Sequence, residues 1–209
     1  MTLAGDGAVV ITGATGAVGR AVAEDFAAQG RRLVLAGRDI HALKELAARC
    51  RARGAEAETV EADLGDTASV RRLVNTARSQ GDIDIWISQA EARGVDGGDL
   101  DAVLPVFLKQ KRGVFIAVGT TAFSAALRNR LSARRDIHLC EILADRNEDD
   151  AGKIARAVVD LARAPRPRIS IGANDGYVER LLRAGSAFSM TALAGLGAIA
   201  TALGQTRLG

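Results

Sequence analysis

Three glycines, Gly13, Gly16 and Gly19, stand at a spacing suited to chemistry. They follow the apolar, β-branched run Val9-Val10-Ile11-Thr12, which reads as a buried strand. A helical pattern comes next, in which Ala17, Val18, Ala21, Val22 and Phe26 share one face and Gly30 ends the helix. A strand, a glycine turn and a helix together make an anion site. The helix start offers unpaired N–H groups and the positive end of its dipole. Glycines let backbone approach a diphosphate with no Cβ in the way. Other reactive side chains are sparse. Cys50 and Cys140 are too few and too far apart for a disulfide framework or a metal cluster, and they read as reduced thiols. His41 and His138 have no cysteine or carboxylate partner in a ligand pattern, so no metal site is expected.

The elements that must position these residues alternate along the chain. Residues 31–36 read as a second strand. Residues 40–53 read as a helix with Leu43, Leu46 and Ala47 inward, capped by Asp39 and closed by Gly54. A third strand covers 56–62 and leads into Asp63-Leu64. Asp66 or Thr67 caps a helix that runs through Gln80, and residues 83–87 form a fourth strand. After a polar, glycine-rich loop over 93–99, a short helix over 100–109 is broken or kinked at Pro105. Residues 113–121 and 136–143 read as the fifth and sixth strands. A helix over 148–163 places Ile154, Ala157, Val158 and Leu161 on one face, and a seventh strand follows over 168–172. A short helix covers 174–184. Short connections between alternating strands and helices predict an α/β fold: a doubly wound, Rossmann-like parallel sheet of about seven strands in three αβα layers. Ligand should lie at the carboxyl ends of the strands. The domain reading is a nucleotide-binding domain over 1–184 and a C-terminal apolar helix or tail over 185–209.

At the end of the second strand, where a dinucleotide's adenosine ribose lies, the chain has Gly37-Arg38-Asp39. An acidic residue at the strand tip would hydrogen-bond a free 2′-hydroxyl and repel a 2′-phosphate. A guanidinium beside an uncharged glycine favours the phosphate, so NADP(H) is expected over NAD(H).

The run Thr12-Gly13-Ala14-Thr15-Gly16-Ala17-Val18-Gly19 resembles the nucleotide-binding turn of the short-chain dehydrogenase/reductase superfamily. It fits the TGxxGxxG spelling directly, and the TGxxxGxG spelling with Ala17 for the middle glycine. The likeness extends over residues 7–175. It implies cofactor contacts from Thr12, Gly13, Thr15, Gly16, Ala17, Val18 and Gly19. It implies that Asp63 accepts from the adenine amino group while the Leu64 N–H reads a ring nitrogen. Ser88-Gln89-Ala90-Glu91 stands where the family has Asn-Asn-Ala-Gly, so Gln89 and Ala90 line the cofactor's path. Glu91 replaces a glycine near the nicotinamide, either as a carboxylate with a task or as a solvated one. Thr120 aligns with the serine that positions the substrate carbonyl, and Ala144-Asp145 with the family's Pro-Gly. The family's Tyr-x-x-x-Lys pair, in which the lysine lowers the phenol pKa for proton exchange, is absent. The only tyrosine is Tyr177, with Leu181 four residues on, and no lysine lies between Lys111 and Lys153. Residues 123–127 correspond to the distal part of the catalytic helix. Two stretches that also build the family's main dimer contact are missing on either side of the fifth strand.

Composition narrows the partners. The 209 residues carry a net charge of +3, dispersed arginines and only 3% aromatics, a poor basis for gripping nucleic acid. Residues 1–6 have neither a basic n-region nor an apolar h-region, so a cytoplasmic location is expected. Residues 187–204 are uncharged, with a hydrophobicity resting on alanine. They read as a buried helix, a tail or a membrane contact, without stable insertion, and would serve a homo-oligomer or a protein partner. Three functions stay open. One is an NADP(H)-dependent oxidoreductase with an atypical site, passing hydride to a carbonyl, imine or activated alkene of a small-molecule substrate. Thr120 or Thr121 would then hold the substrate oxygen, and Glu91, Asp145 or water would handle the proton. The second is a catalytically inactive NADP(H)-binding partner or regulatory protein. The third is a non-redox enzyme that cyclises, dehydrates or isomerises.

Overall fold

In the computed structural model the described residues are 6–89, 98–119, 131, 134, 136–144 and 150–171. They form a seven-stranded sheet in the order β3-β2-β1-β4-β5-β6-β7. The strands are β1 (Ala8–Thr12), β2 (Arg32–Gly37), β3 (Glu56–Glu61), β4 (Ile83–Ser88), β5 (Gly113–Gly119), β6 (Ile137–Ala144) and β7 (Arg168–Ile171). Every neighbouring pair is parallel, with Val10 opposite Val34 on one side and Trp86 on the other. The chain winds outward from β1 through β2 to β3, then returns to β4 on β1's other edge. Ligands of such sheets collect above that reversal.

Parallel strands buried on both faces need helices on both faces. Alternate strand residues therefore feed two cores. Val9, Ile11, Leu33, Leu35, Ile85 and Ile87 face helices α1 (Ala17–Ala27), α2 (Ile40–Ala52) and α5 (Ala151–Arg163). Val10, Val34, Trp86 and Phe115 face α3 (Thr67–Ser79) and α4 (Asp99–Gln110). The helix starts follow the residues that cap them: Asp39 accepts from the His41 and Ala42 N–H groups, and Asp66 from those of Ala68 and Ser69.

The structure corrects the helix readings at three points. Ala17 is exposed, and the buried face of α1 runs through Gly19, Val22, Ala23, Phe26 and Ala27, with Val18 and Ala21 half-buried beside it. Helix α4 is neither broken nor delayed: it runs unbroken from Asp99 to Gln110 through Pro105. Pro105 is exposed while Val103, Leu104 and Phe107 are buried, so water can take the carbonyl its missing N–H leaves. Helix α5 starts at Ala151, and Ala155, Val159 and Ala162 join its buried face.

The opposite, N-terminal edge of the sheet is closed by a charge cluster. The Asp84 carboxylate accepts from the Gly7 N–H at 2.9 Å and from Arg31 at 3.0 Å, and Arg112 reaches its other oxygen at 3.3 Å. Arg112 also pairs with Asp82 at 2.8 Å. A Cβ on Gly7 would lie 2.5 Å from the Asp84 carboxyl carbon, so backbone and carboxylate meet there directly.

Candidate functional site

The glycine turn rises from β1 and opens α1. Its shape is held from three sides. The Ala14 N–H donates to the Ala36 carbonyl at 3.0 Å, tying the turn to β2, and the Gly16 N–H donates to the Gly13 carbonyl at 3.0 Å. Thr12, 1% exposed, donates its hydroxyl to the Ile87 carbonyl and accepts the Gln89 N–H, both at 3.3 Å. Thr12 thus clips β1 to β4 at the reversal.

The three glycines answer to different demands. Gly13 has φ +64, in the left-handed region. Gly19 is set by packing: a Cβ there would strike the Gly13 carbonyl oxygen and lie 2.7 Å from both Ala14 Cα and Gln89 Nε2. Gly16 is required by neither. Its φ of −72 and ψ of 164 suit any residue, and a Cβ would meet only the Gly13 oxygen at 3.4 Å and Gln89 Oε1 at 3.6 Å. Gly16 is exposed and is the N-cap of α1, with no side-chain cap and no acidic residue in the first turn. The amides that open α1, those of Ala17 and Val18, therefore have no side-chain acceptor among the described residues and suit an anion's oxygens. Gln89 packs against the same turn, and its buried Nε2 makes no hydrogen bond with the described residues. An open approach at Gly16, free first-turn amides and an orphaned donor beside them fit a diphosphate.

At the tip of β2, Gly37 is buried and Thr15 Oγ1 lies 3.6 Å from where its Cβ would be. Arg38 is exposed and has no hydrogen bond or ion pair with the described residues. Asp39 is engaged in capping α2. The exposed Glu61 stands opposite Gly37 in the β2–β3 register. Beyond β3, Asp63 is exposed. One of its carboxylate oxygens accepts the Gly65 N–H at 2.8 Å, and its own N–H donates to Ser69 Oγ at 3.2 Å. Leu64 is half-buried beside the start of α4, where a Cβ on Gly98 would lie 3.7 Å from the Leu64 carbonyl oxygen.

One buried group escaped the sequence reading, which left Asp99 in a loop. Asp99 is the first residue of α4 and only 7% exposed. Its carboxylate accepts the Trp86 indole N–H at 2.8 Å. Burial pushes its pKa above the ordinary carboxylate range, opposed by the nearby Ser88 hydroxyl, the Trp86 N–H and the helix-start amides. The Ser88 hydroxyl is itself buried and falls short of hydrogen-bond geometry with any described group. The legible signal was a Gly-Asp pair directly before an apolar, helical run.

Of the sequence-assigned site residues, the structure brings together Thr12, Gly13, Thr15, Gly16, Ala17, Val18, Gly19 and Gln89 around one turn. Arg38, Asp63 and Leu64 stand along the same carboxyl edge at β2 and β3. Ala90, Glu91, Thr120, Thr121 and Asp145 lie outside the described residues, as do the readings over 174–209. Among the described residues no group of three or more His, Cys, Asp or Glu could hold a metal, and no helix is long and apolar enough to cross a membrane. Cys50 and Cys140 are buried, and burial raises the Cys50 thiol's pKa.

A family model described as short chain dehydrogenase matches residues 7–97. The chain is 41% identical over 109 residues to a 1-deoxy-11-beta-hydroxypentalenate dehydrogenase from Streptomyces exfoliatus. That match covers 52% of this chain and 38% of the relative, so the chain spans well under half of that protein's length. Among solved structures, a metagenomic short-chain oxidoreductase in complex with NADP superposes with a TM-score of 0.67. It is 18% identical, over 79% of this chain and 96% of that one. An alcohol dehydrogenase from the archaeon Thermococcus sibiricus, complexed with 5-hydroxy-NADP, gives 0.65 at 16% identity, over 79% and 95%. At those identities the structural likeness speaks for the fold alone.

Proposed function

We propose that this chain, which belongs to the short-chain dehydrogenase/reductase superfamily, is an NADP(H)-dependent oxidoreductase. It would move a hydride between NADP(H) and a carbonyl, imine or activated alkene of a small molecule. The observation that supports this most is Gly16, a glycine that neither backbone conformation nor packing requires, at an uncapped helix start. The α1 amides and the turn would bind the diphosphate. Arg38, beside Gly37 and without a partner among the described residues, would pair with a 2′-phosphate. Asp63 and the Leu64 N–H would meet the adenine, and Gln89 and Ala90 would line the path toward the nicotinamide. When bound, the cofactor supplies or accepts the hydride. Thr120 or Thr121 would hold the substrate oxygen, and Glu91, Asp145 or water would carry the proton. The domain division at residue 184, a second copy or partner on 185–209, and a cytoplasmic location belong to the same proposal.

A second reading is an NADP(H)-holding protein without turnover. It is favoured by the missing Tyr-x-x-x-Lys pair, since Tyr177 is followed by Leu181 four residues on. General acid–base help of that kind is worth about 10²–10⁴-fold in rate. Both readings meet one experiment: calorimetric titration with NADPH and NADH, for the protein as it stands and for Arg38→Ala, followed by a carbonyl screen at the nicotinamide absorbance. A charge-assisted hydrogen bond to a phosphate is worth about 1.5–3 kcal/mol. Arg38→Ala should therefore weaken NADPH about 10- to 100-fold and leave NADH within about twofold. Binding without turnover selects the second reading. Binding of neither nucleotide rejects both.

A further inference from the structure

We infer that Asp99 is a positioning residue for the adenine half of the cofactor: bonded to Trp86, it fixes the start of α4 as one wall of the base slot at Leu64. This rests on the cofactor reading above. The strand order places the slot. With the diphosphate over β1 and the ribose at the tip of β2, the base falls beyond it, toward the tip of β3, where Asp63 and Leu64 follow. Facing Leu64 is Gly98, with φ +69 and ψ −117, a conformation that suits glycine alone. A Cβ on Gly98 would come 3.7 Å from the Leu64 carbonyl oxygen, so the start of α4 and the β3–α3 loop sit backbone to backbone.

What holds the start of α4 in that place is the residue after Gly98. Trp86, the chain's only tryptophan, is fully buried on β4, and its indole N–H must find a partner inside the protein. Asp99 Oδ2, at 2.8 Å, is that partner. Leu100 and Val103, one and four residues on, are buried in the same core as Trp86 and keep the helix from turning away. Asp99 has no approach to a bound nucleotide of its own, because it is buried and spent on the indole. Its effect on the base must pass through Gly98 and Leu64.

The test uses two half-cofactors, 2′,5′-ADP and reduced nicotinamide mononucleotide, on the whole chain. Trp86 gives a signal that a purely structural role would not move. 2′,5′-ADP should shift its fluorescence, and the mononucleotide should not. Asp99→Ala should weaken 2′,5′-ADP about tenfold, with the mononucleotide unchanged within about twofold. Asp99→Asn keeps an oxygen for the same indole N–H and should restore most of the affinity. Should Asp99→Ala fail to fold, Trp86→Phe, read by calorimetry, takes the N–H donor and part of the ring from the pair and should show the same selective loss. Folded variants that bind 2′,5′-ADP like the parent, or that lose both halves equally, overturn the assignment while leaving the cofactor site standing. A parent protein that binds neither 2′,5′-ADP nor NADPH overturns the cofactor reading and this inference with it.

Discussion

Gly16 and Gly19 differ by one helical turn and should differ in kind when each is changed to alanine. At Gly19 a methyl group would press on the Gly13 carbonyl oxygen and lie 2.7 Å from Ala14 Cα and from Gln89 Nε2. Two of those three atoms are backbone of the turn itself and cannot swing aside. Overpacking of that sort destabilises by about 1–3 kcal/mol. For a chain of this size that lowers the unfolding temperature by roughly 2–12 °C. At Gly16 the nearest atoms would be 3.4 and 3.6 Å away and the dihedrals are ordinary. Alanine there gains about 0.4–1 kcal/mol from a stiffer unfolded chain and gives back a comparable amount, roughly 0.5–1 kcal/mol, as a poorer N-cap. Net stability should stay within about 1 kcal/mol. NADPH, however, should bind about tenfold more weakly, because the methyl group crowds the diphosphate's approach. Thermal unfolding without nucleotide and calorimetric titration separate the two effects. A Gly19→Ala protein as stable as its parent would refute the packing geometry. A Gly16→Ala protein that binds NADPH undiminished would refute the view that this glycine serves a ligand.

Other perturbations follow from the same contacts. Glu61 stands opposite Gly37, so Glu61→Gln should remove a repulsion from the 2′-phosphate and raise the NADPH-to-NADH affinity ratio about threefold at low salt, less at high salt. An unchanged ratio in both salts would detach Glu61 from the ribose end. Asp84→Ala leaves Arg31, Arg112 and the Gly7 N–H without their buried acceptor. Allowing for the 40% exposure of the Arg112 side chain, it should destabilise by about 2–3 kcal/mol in a denaturant titration. Nucleotide affinity should not change, since Asp84 lies at the opposite edge of the sheet. The raised pKa of Asp99 has a definite sign in stability. A proton held more tightly in the folded than in the unfolded chain contributes stability below the ordinary value of 3.8, and this is lost as pH rises through the folded pKa. Asp99→Asn should remove that slope, so its unfolding temperature should gain on the parent's as pH rises through the window. Parallel curves would refute the shift.

Local chemistry was legible in the sequence, and pairings distant along the chain were not. The strands, the glycine turn and the Asp39 and Asp66 caps depend on neighbours within a few residues, and the reading found them. Asp84 and Asp99 depend on partners elsewhere. Asp84 is buried on β4 against Arg31, 53 residues earlier, a pairing that nothing in Ile83-Asp84-Ile85 reveals. Asp99 reads as loop because nothing local reveals that an indole on β4 needs it. The α1 face was misplaced for a smaller reason. Ala23 and Ala27 carry little hydrophobic signal, but small side chains are what let α1 pack closely on α5. Pro105 reads as a helix breaker because sequence alone does not show that it faces solvent, where water can satisfy the carbonyl its missing N–H leaves. The residues aligned with the reacting end of the site, Glu91, Thr120, Thr121 and Asp145, lie outside the described residues, so their roles stay with the resemblance that suggested them.

A residue says something about a ligand only to the extent that the fold does not already require it. Gly13 is held by its φ and Gly19 by its packing, so both would be glycine in a protein that bound nothing. Thr12 clips two strands together and Asp39 caps a helix, and those duties account for them fully. Removing such residues leaves Gly16, Arg38 and the Gln89 amide. The first is a glycine with room for a side chain, the second a charge with no partner among the described residues, and the third a buried donor with no acceptor among them. They lie along one edge of the sheet, from the tip of β4 past β1 to the tip of β2. What each lacks is what a phosphorylated dinucleotide carries: a diphosphate that needs open approach, a phosphate that needs a cation, and oxygens that accept from an amide. The case for NADP(H) is therefore stronger in these three unmet needs than in the glycine spelling itself, because a spelling can be kept by packing alone.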